Sequence, residues 1–275
     1  MTDGPKPSEA EPANNQVPAE SSRNVEAEEH DALVDSAEMP FMAHLLELRQ
    51  RILKGLFAVV ALFLPIYFFA NDLYVLVAAP LMAHLPGDGT MIATEVASPF
   101  LTPFKLAIYA AIFVGMPVIL HQAWSFVAPG LYKHEKRFAM PLLLSSIGLF
   151  YLGMAFAYFA VFPLVFQFMA SVTPIGVTMM TDINRYLDFV LTMFFAFGFA
   201  FEIPIATLLL VWSGISTAQG IANKRPYVIV GCFAAGMLLT PPDVISQLLL
   251  ALPTWVLFEI GILFARVAEK RNEVA

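Results

Sequence analysis

Charge is the first thing this sequence lacks: only 13% of its residues are Asp, Glu, Lys or Arg, against 59% hydrophobic. A water-soluble domain of this length needs about twice that charge to cover its surface. The mean hydropathy is +0.72, and the apolar residues come in long uncharged blocks, which is how bilayer spans read. Cysteine is nearly absent too. Cys232 stands alone in an apolar stretch, so no disulfide or metal framework is available, and it reads as a small buried hydrophobe. There is no P-loop, no His-Glu-x-x-His metal motif and no Gly-x-Ser-x-Gly nucleophile elbow. The spacing of His44 and Glu47 is helical, but a second histidine is missing. Nothing in the chain calls for a cofactor or a metal.

The charge that is present sits unevenly. Residues 1–38 hold ten acids against Lys6 and Arg23, so the formal −7 of the whole leaves +1 for the remainder. This leader is rich in Glu, Ala, Pro and Ser and has no aromatic residue, which predicts a disordered tail. It has neither the basic start nor the apolar run of a signal peptide.

Apolar blocks then follow at about Gly55–Ala70, Leu106–Ala128, Phe138–Ala170 and Phe189–Trp212. The third would extend about 50 Å as a helix, longer than the ~30 Å hydrocarbon core, so it must tilt, bend at Pro163 or emerge into solvent. The last stretch, Pro226–Ala265, is flanked by Lys224 and Arg225 before it and by Arg266, Lys270 and Arg271 after it. If positive residues mark the cytoplasmic side, this stretch is a hairpin turning at Thr240-Pro241-Pro242-Asp243. The same rule orders the whole chain: eleven bases fall on inside segments, and only Lys105 and Arg185 outside. The prediction is an all-α integral membrane protein with six transmembrane helices, both ends in the cytoplasm. The fifth and sixth helices form a short hairpin. The membrane domain spans 39–266, between the acidic tail of 1–38 and a cytoplasmic C-terminal tail over 267–275. The long outside loop, Asn71–Pro103, is expected to form short capping helices broken at its prolines.

Three carboxylates are candidates for function. On spacing alone Glu47 reads as an i, i+4 partner of Arg51, and Glu135 as a solvated acid among Lys133, Lys136 and Arg137. Glu202 lies deep in the fourth block, where an ionisable group costs several kcal/mol unless paired, protonated or hydrated, so function is the default reading. The local alternative is that a protonated Glu202 donates to a carbonyl freed by Pro204. Glu259 lies within two turns of Arg266, near the interface.

Taken together, these landmarks resemble the TatC family, the multi-span subunit of the twin-arginine protein translocase. The resemblance covers about residues 40–266. It rests on His44-Leu-Leu-Glu-Leu-Arg-Gln-Arg51, Ala93-Thr-Glu-Val-Ala-Ser-Pro-Phe100 and Ala128-Pro-Gly-Leu-Tyr-Lys-His-Glu135. Phe201-Glu-Ile-Pro204, Lys224-Arg-Pro-Tyr227 and Leu238-Leu-Thr-Pro-Pro-Asp-Val244 continue it in order.

The resemblance implies a receptor for twin-arginine signal peptides in the bacterial inner membrane, without catalytic turnover. It implies contact with the paired arginines at Glu47 and Glu135, with Lys133, Arg137, Arg49 and Phe126 around them. A carboxylate pairs with a guanidinium fork through two parallel hydrogen bonds, which lysine cannot offer. The implied partners are single-span TatA-type and TatB-type subunits, further copies of the chain and the lipid bilayer, not nucleic acid. Met237, Thr240 and Gln247 are expected to line the docking groove for a partner helix, although Thr240 and Gln247 could equally bond within the hairpin. Folded cargo would cross using the proton-motive force. The reading of a different class is a proton-coupled transporter of a small molecule with Glu202 as coupling residue. Against it, Glu202 stands nearly alone near midplane, whereas transporters gather several polar groups there.

Overall fold

The computed structural model describes the backbone of residues 19–84, 90–131, 136–174, 176–239 and 244–274. Within these, it describes the side chains of 42, 44–84, 90–126, 140–174, 176–239 and 244–269. The chain divides after Gln50, and the bundle considered below is built from residues 51–275.

Every regular element among the described residues is helical. Helix α1 (Ala19–Tyr67) begins inside the acidic leader that composition assigns to a disordered tail. The leader's Ala and Glu are strong helix formers, so a helix continuing backward from the first span meets little local resistance there. Helix α2 (Ala70–Met82) follows, then α3 (Ser98–Leu131) and α4 (Lys136–Phe156). A π-helical turn (Ala157–Val161) joins α4 to α5 (Phe162–Val172). Next come α6 (Ile183–Ala200), α7 (Ile203–Trp212) and the single turn α8 (Ala218–Ala222). Helices α9 (Arg225–Leu239) and α10 (Val244–Val274) complete the chain.

Among the described residues, five segments are long and apolar enough to cross a membrane: His44–Tyr67, Ser98–Phe126, Met140–Val172, Ile183–Trp212 and Val244–Glu269. Helix α9 is the sixth membrane helix and a short one. Its 15 residues reach about 22 Å at ~1.5 Å per residue, below the ~30 Å hydrocarbon core. It packs against α10 as a hairpin. The hairpin is asymmetric, because α10 runs for 31 residues.

The overlong third span bends where proline predicts it, by a device the sequence did not disclose. Pro163 has no N–H to return to the Phe159 carbonyl. The chain widens into the π turn just before it and restarts as α5 with Pro163 in the first turn. The fourth span breaks in the same region of the sequence as expected, at Phe201–Glu202, and Pro204 opens α7. Pro80 departs from expectation. It lies inside the last turn of α2 and does not break it.

The core is aromatic. Phe150, Phe162 and Phe197 are fully buried, and Phe113 packs on Phe195 at 4.8 Å between ring centroids while Phe162 packs on Phe194 at 5.2 Å. Large apolar side chains also cover the outside, among them Phe57, Phe159 and Leu238. An exterior of that kind suits hydrocarbon and not water.

Candidate functional site

Three of the six residues expected around a signal peptide are among the described side chains. Glu47 is half-buried and Arg49 exposed on α1, and Phe126 is half-buried on α3. Lys133 and Glu135 lie outside the described residues, as does the side chain of Arg137.

Glu202 is placed in full. Ser146 of α4 donates its hydroxyl to Glu202 Oε2 at 2.5 Å. The other carboxylate oxygen, Oε1, is buried with no hydrogen-bond partner among the described residues. The contact follows from helix register. A Cβ at Gly153 would overlap the Phe197 carbonyl oxygen, and one at Gly198 would lie 2.5 Å from Phe150 Cε2. These two glycines therefore let α4 and α6 touch backbone to side chain. One turn further along the same antiparallel seam, Ser146 meets Glu202. The local alternative, Glu202 donating to a carbonyl freed by Pro204, gives way to this inter-helix bond. Ser146 was legible only as one of two serines in an otherwise apolar run, and nothing in the spacing pointed it at Glu202.

The loops before α3 and before α6 are stitched together. Ile92 and Asp182 form an isolated parallel bridge, with Ile92 N–H donating to Thr181 O and Ile183 N–H to Ile92 O, both at 3.0 Å. Asp182 caps α6, accepting from the N–H groups of Asn184 and Arg185. It also accepts from Thr94 through its N–H at 3.0 Å and its hydroxyl at 2.6 Å. The Thr94 hydroxyl and then these backbone amides hold the Asp182 carboxyl down at about 2. Asn184 in turn bonds both Ser98 and Thr102, which are fully buried, and Lys105 pairs with Asp188. Ser98 sits in the Ala93–Phe100 motif, but its partner on α6 lies 86 positions away, beyond any local pattern.

The hairpin holds two further contacts. Arg225 grips Glu259 through both guanidinium arms, Nε to Oε1 at 2.6 Å and Nη2 to Oε2 at 2.7 Å. In the sequence Arg225 carried a topological signal and belonged to the Lys224–Tyr227 motif, and Glu259 was assigned to the neighbourhood of Arg266. Gln247 donates to the Phe233 carbonyl of α9 at 2.9 Å, so its amide nitrogen bonds within the hairpin, the open alternative to docking. Met237 is 63% exposed on α9, and Thr240 lies outside the described residues. Among the described residues, no group of three His, Cys, Asp or Glu side chains could hold a metal ion.

Comparison with known proteins agrees with this architecture. A sequence model described as "Sec-independent protein translocase protein (TatC)" matches residues 43–253. The protein of that name from Azotobacter chroococcum is 62% identical over 238 residues, 86% of this chain and 93% of the relative. Its Escherichia coli K12 counterpart is 56% identical, covering 85% of this chain and 91% of the relative. Among solved structures, a crystal structure titled as the twin arginine translocase receptor TatC superposes with a TM-score of 0.75 at 37% identity. That match takes in 82% of this chain and 99% of the other. A second, of the same receptor in DDM, gives 0.73 at 35% identity. The chain belongs to the TatC family of multi-span membrane proteins.

Proposed function

We propose that this protein is the receptor and core scaffold of a twin-arginine translocase. It would bind twin-arginine signal peptides at the cytoplasmic face and assemble with single-span TatA-type and TatB-type partners to export folded proteins on the proton-motive force. The observation that carries this reading is the near full-length match to solved twin-arginine translocase receptors. The distribution of basic residues supports an orientation in the inner membrane with both termini in the cytoplasm. In that orientation the charge rule assigns the stretches around Glu47, Arg49 and Phe126, and the sequence segment that contains Lys133, Glu135 and Arg137, to the cytoplasmic side.

Glu47 and Glu135 are the acceptors for the two signal arginines. Loss of either should cost about 2 kcal/mol of binding, as for a partly desolvated charge-assisted pair. Partner docking falls to the exposed face of α9 around Met237, with Thr240 the next expected contact along the chain. Gln247, bonded to the α9 backbone, fixes the shape of that face. The short span of α9 should also thin the local bilayer along this seam.

The test is binding of a twin-arginine peptide to the detergent-solubilised protein. Glu47→Ala and Glu135→Ala should each weaken it by about thirtyfold, the equivalent of ~2 kcal/mol, and a twin-lysine peptide should bind weakly to the unmodified protein. Unchanged affinity in both variants would falsify the receptor assignment.

A further inference from the structure

Between the first turns of α3 and α6 lies a pocket of about 500 Å³. Its charged lining carries both signs, with Glu95, Asp182 and Asp188 facing Lys105 and Arg185. Most of this charge is already committed. Asp182 is held by Thr94 and the α6 amides, and Lys105 by Asp188. Two groups are left over. Neither the Glu95 carboxylate nor the Arg185 guanidinium has an ion-pair partner among the described residues. One free anion and one free cation therefore line the same concavity.

The remaining wall is apolar: Leu101, Phe104 and Ile108. All three belong to the segment Ser98–Phe126 that is long and apolar enough to cross a membrane, and Leu101 and Phe104 are 47% and 37% exposed. The pocket thus joins a rim of unpaired opposite charges to a partly exposed apolar wall on a membrane-spanning helix. A soluble zwitterion has no use for the wall, and an anionic lipid has no use for Glu95. A choline headgroup cannot donate a hydrogen bond to a carboxylate, whereas a primary ammonium can donate three.

We propose that this pocket binds a phospholipid with a primary-amine zwitterionic headgroup, of the phosphatidylethanolamine class. Its phosphate sits on the Arg185 fork, its ammonium on Glu95, and its acyl chains run along Leu101, Phe104 and Ile108. Bound there, the lipid bridges the loop before α3 to the first turn of α6, the two elements that Asp182 also ties together.

The experiment uses the full chain, purified and delipidated in detergent. It is titrated with phosphatidylethanolamine, phosphatidylcholine or phosphatidylglycerol and read by native mass spectrometry of the lipid adducts. Phosphatidylethanolamine is expected to bind in preference to the other two. Arg185→Gln should weaken it about tenfold, the effect of one charged hydrogen bond, and should weaken phosphatidylglycerol as well. Glu95→Gln should weaken phosphatidylethanolamine to a similar degree and leave phosphatidylglycerol unchanged. Leu101→Asn, on the apolar wall, supplies an independent variant and should weaken every lipid. Equal retention of phosphatidylethanolamine and phosphatidylglycerol by the unmodified protein, or full retention by both charge variants, overturns the proposal. So does competition by glycerophosphoethanolamine at the same concentration as the lipid, which would make the ligand a soluble one.

Discussion

The Tyr158 hydroxyl donates at 2.8 Å to the Leu76 carbonyl, the oxygen that Pro80 deprives of its helical N–H. The same device recurs one helix away. Tyr151 donates at 2.9 Å to the Phe113 carbonyl, which loses its partner to Pro117. Both tyrosines come from the third span, so a single element satisfies the backbone that two prolines free in α2 and α3. In a bilayer such satisfaction is required, because no water is present to replace it.

Tyr151→Phe is therefore expected to destabilise the protein by about 1 kcal/mol, the net contribution of a part-buried hydrogen bond. Tyr158→Phe should cost less, since the bond it removes is exposed. Thermal unfolding in detergent reads both. A neutral Tyr151→Phe would mean that the Phe113 carbonyl finds another donor.

The span positions, the hairpin and the kink at Glu202 were legible in the sequence because each is written locally, as apolar runs, flanking bases and proline. The contacts between spans were not. Ser146 and Glu202 are 56 positions apart and Arg225 and Glu259 are 34. Their pairing depends on helix register, which Gly153 and Gly198 set by close approach for the first of the two pairs. The π turn was hidden for a related reason. Pro163 announces a lost hydrogen bond, but whether the helix breaks, as at Pro204, or widens, as at Ala157–Val161, is not written in the proline itself. Glu202 stood out in the sequence by its depth in an apolar block, whereas Glu47 was singled out only by the family resemblance, since its spacing paired it with Arg51.

Asp182 should make the cap between its two loops sensitive to acid. Its carboxyl titrates at about 2 in the folded protein, below the ~3.9 of an unfolded chain. A depressed carboxylate contributes stability that is complete above the unfolded value and is lost as pH falls through the folded one. Glu95, Lys105, Arg185 and Asp188 line the same pocket and share its field. Asp182→Ala should lower the melting temperature by a constant amount above about pH 5, and the gap should close between about pH 4 and pH 2. A gap that persists unchanged at pH 2 would show that the capping geometry, and not the ionised carboxylate, carries the effect.

The two-armed contact of Arg225 with Glu259 should make the hairpin intolerant of lysine. A lysine keeps the charge but offers no fork, so one of the two bonds is lost. Arg225→Lys is expected to retain less than half of the coupling with Glu259, which is modest because both side chains are partly exposed. A double-mutant cycle with Glu259→Gln, read by unfolding at low and high salt, measures it. Coupling that is equal for arginine and lysine would reduce the contact to an ordinary surface pair.

Glu202 combines one satisfied oxygen with one that is not, and its substitutions separate two roles. The bond from Ser146 fixes Oε2, while the buried, unpartnered Oε1 is poised to meet a donor that arrives only during function, such as a polar group on an inserting or docking helix. Glu202→Gln preserves shape, can still accept from Ser146 and adds donor capacity. If a neutral group suffices, it should therefore support most of the export of a twin-arginine reporter protein. Glu202→Ala removes the acceptor, strands the Ser146 hydroxyl and opens a void at the junction of α6 and α7. It should lower stability by about 1–3 kcal/mol and impair export further. Ser146→Ala separates positioning from chemistry, because it frees the carboxylate without removing it and should reduce export only as far as it loosens Glu202. Export assays on membranes containing equal amounts of each folded variant distinguish these outcomes. A Gln variant as inactive as the Ala variant, with both folded, would require a carboxylate that is charged or exchanges a proton during transport.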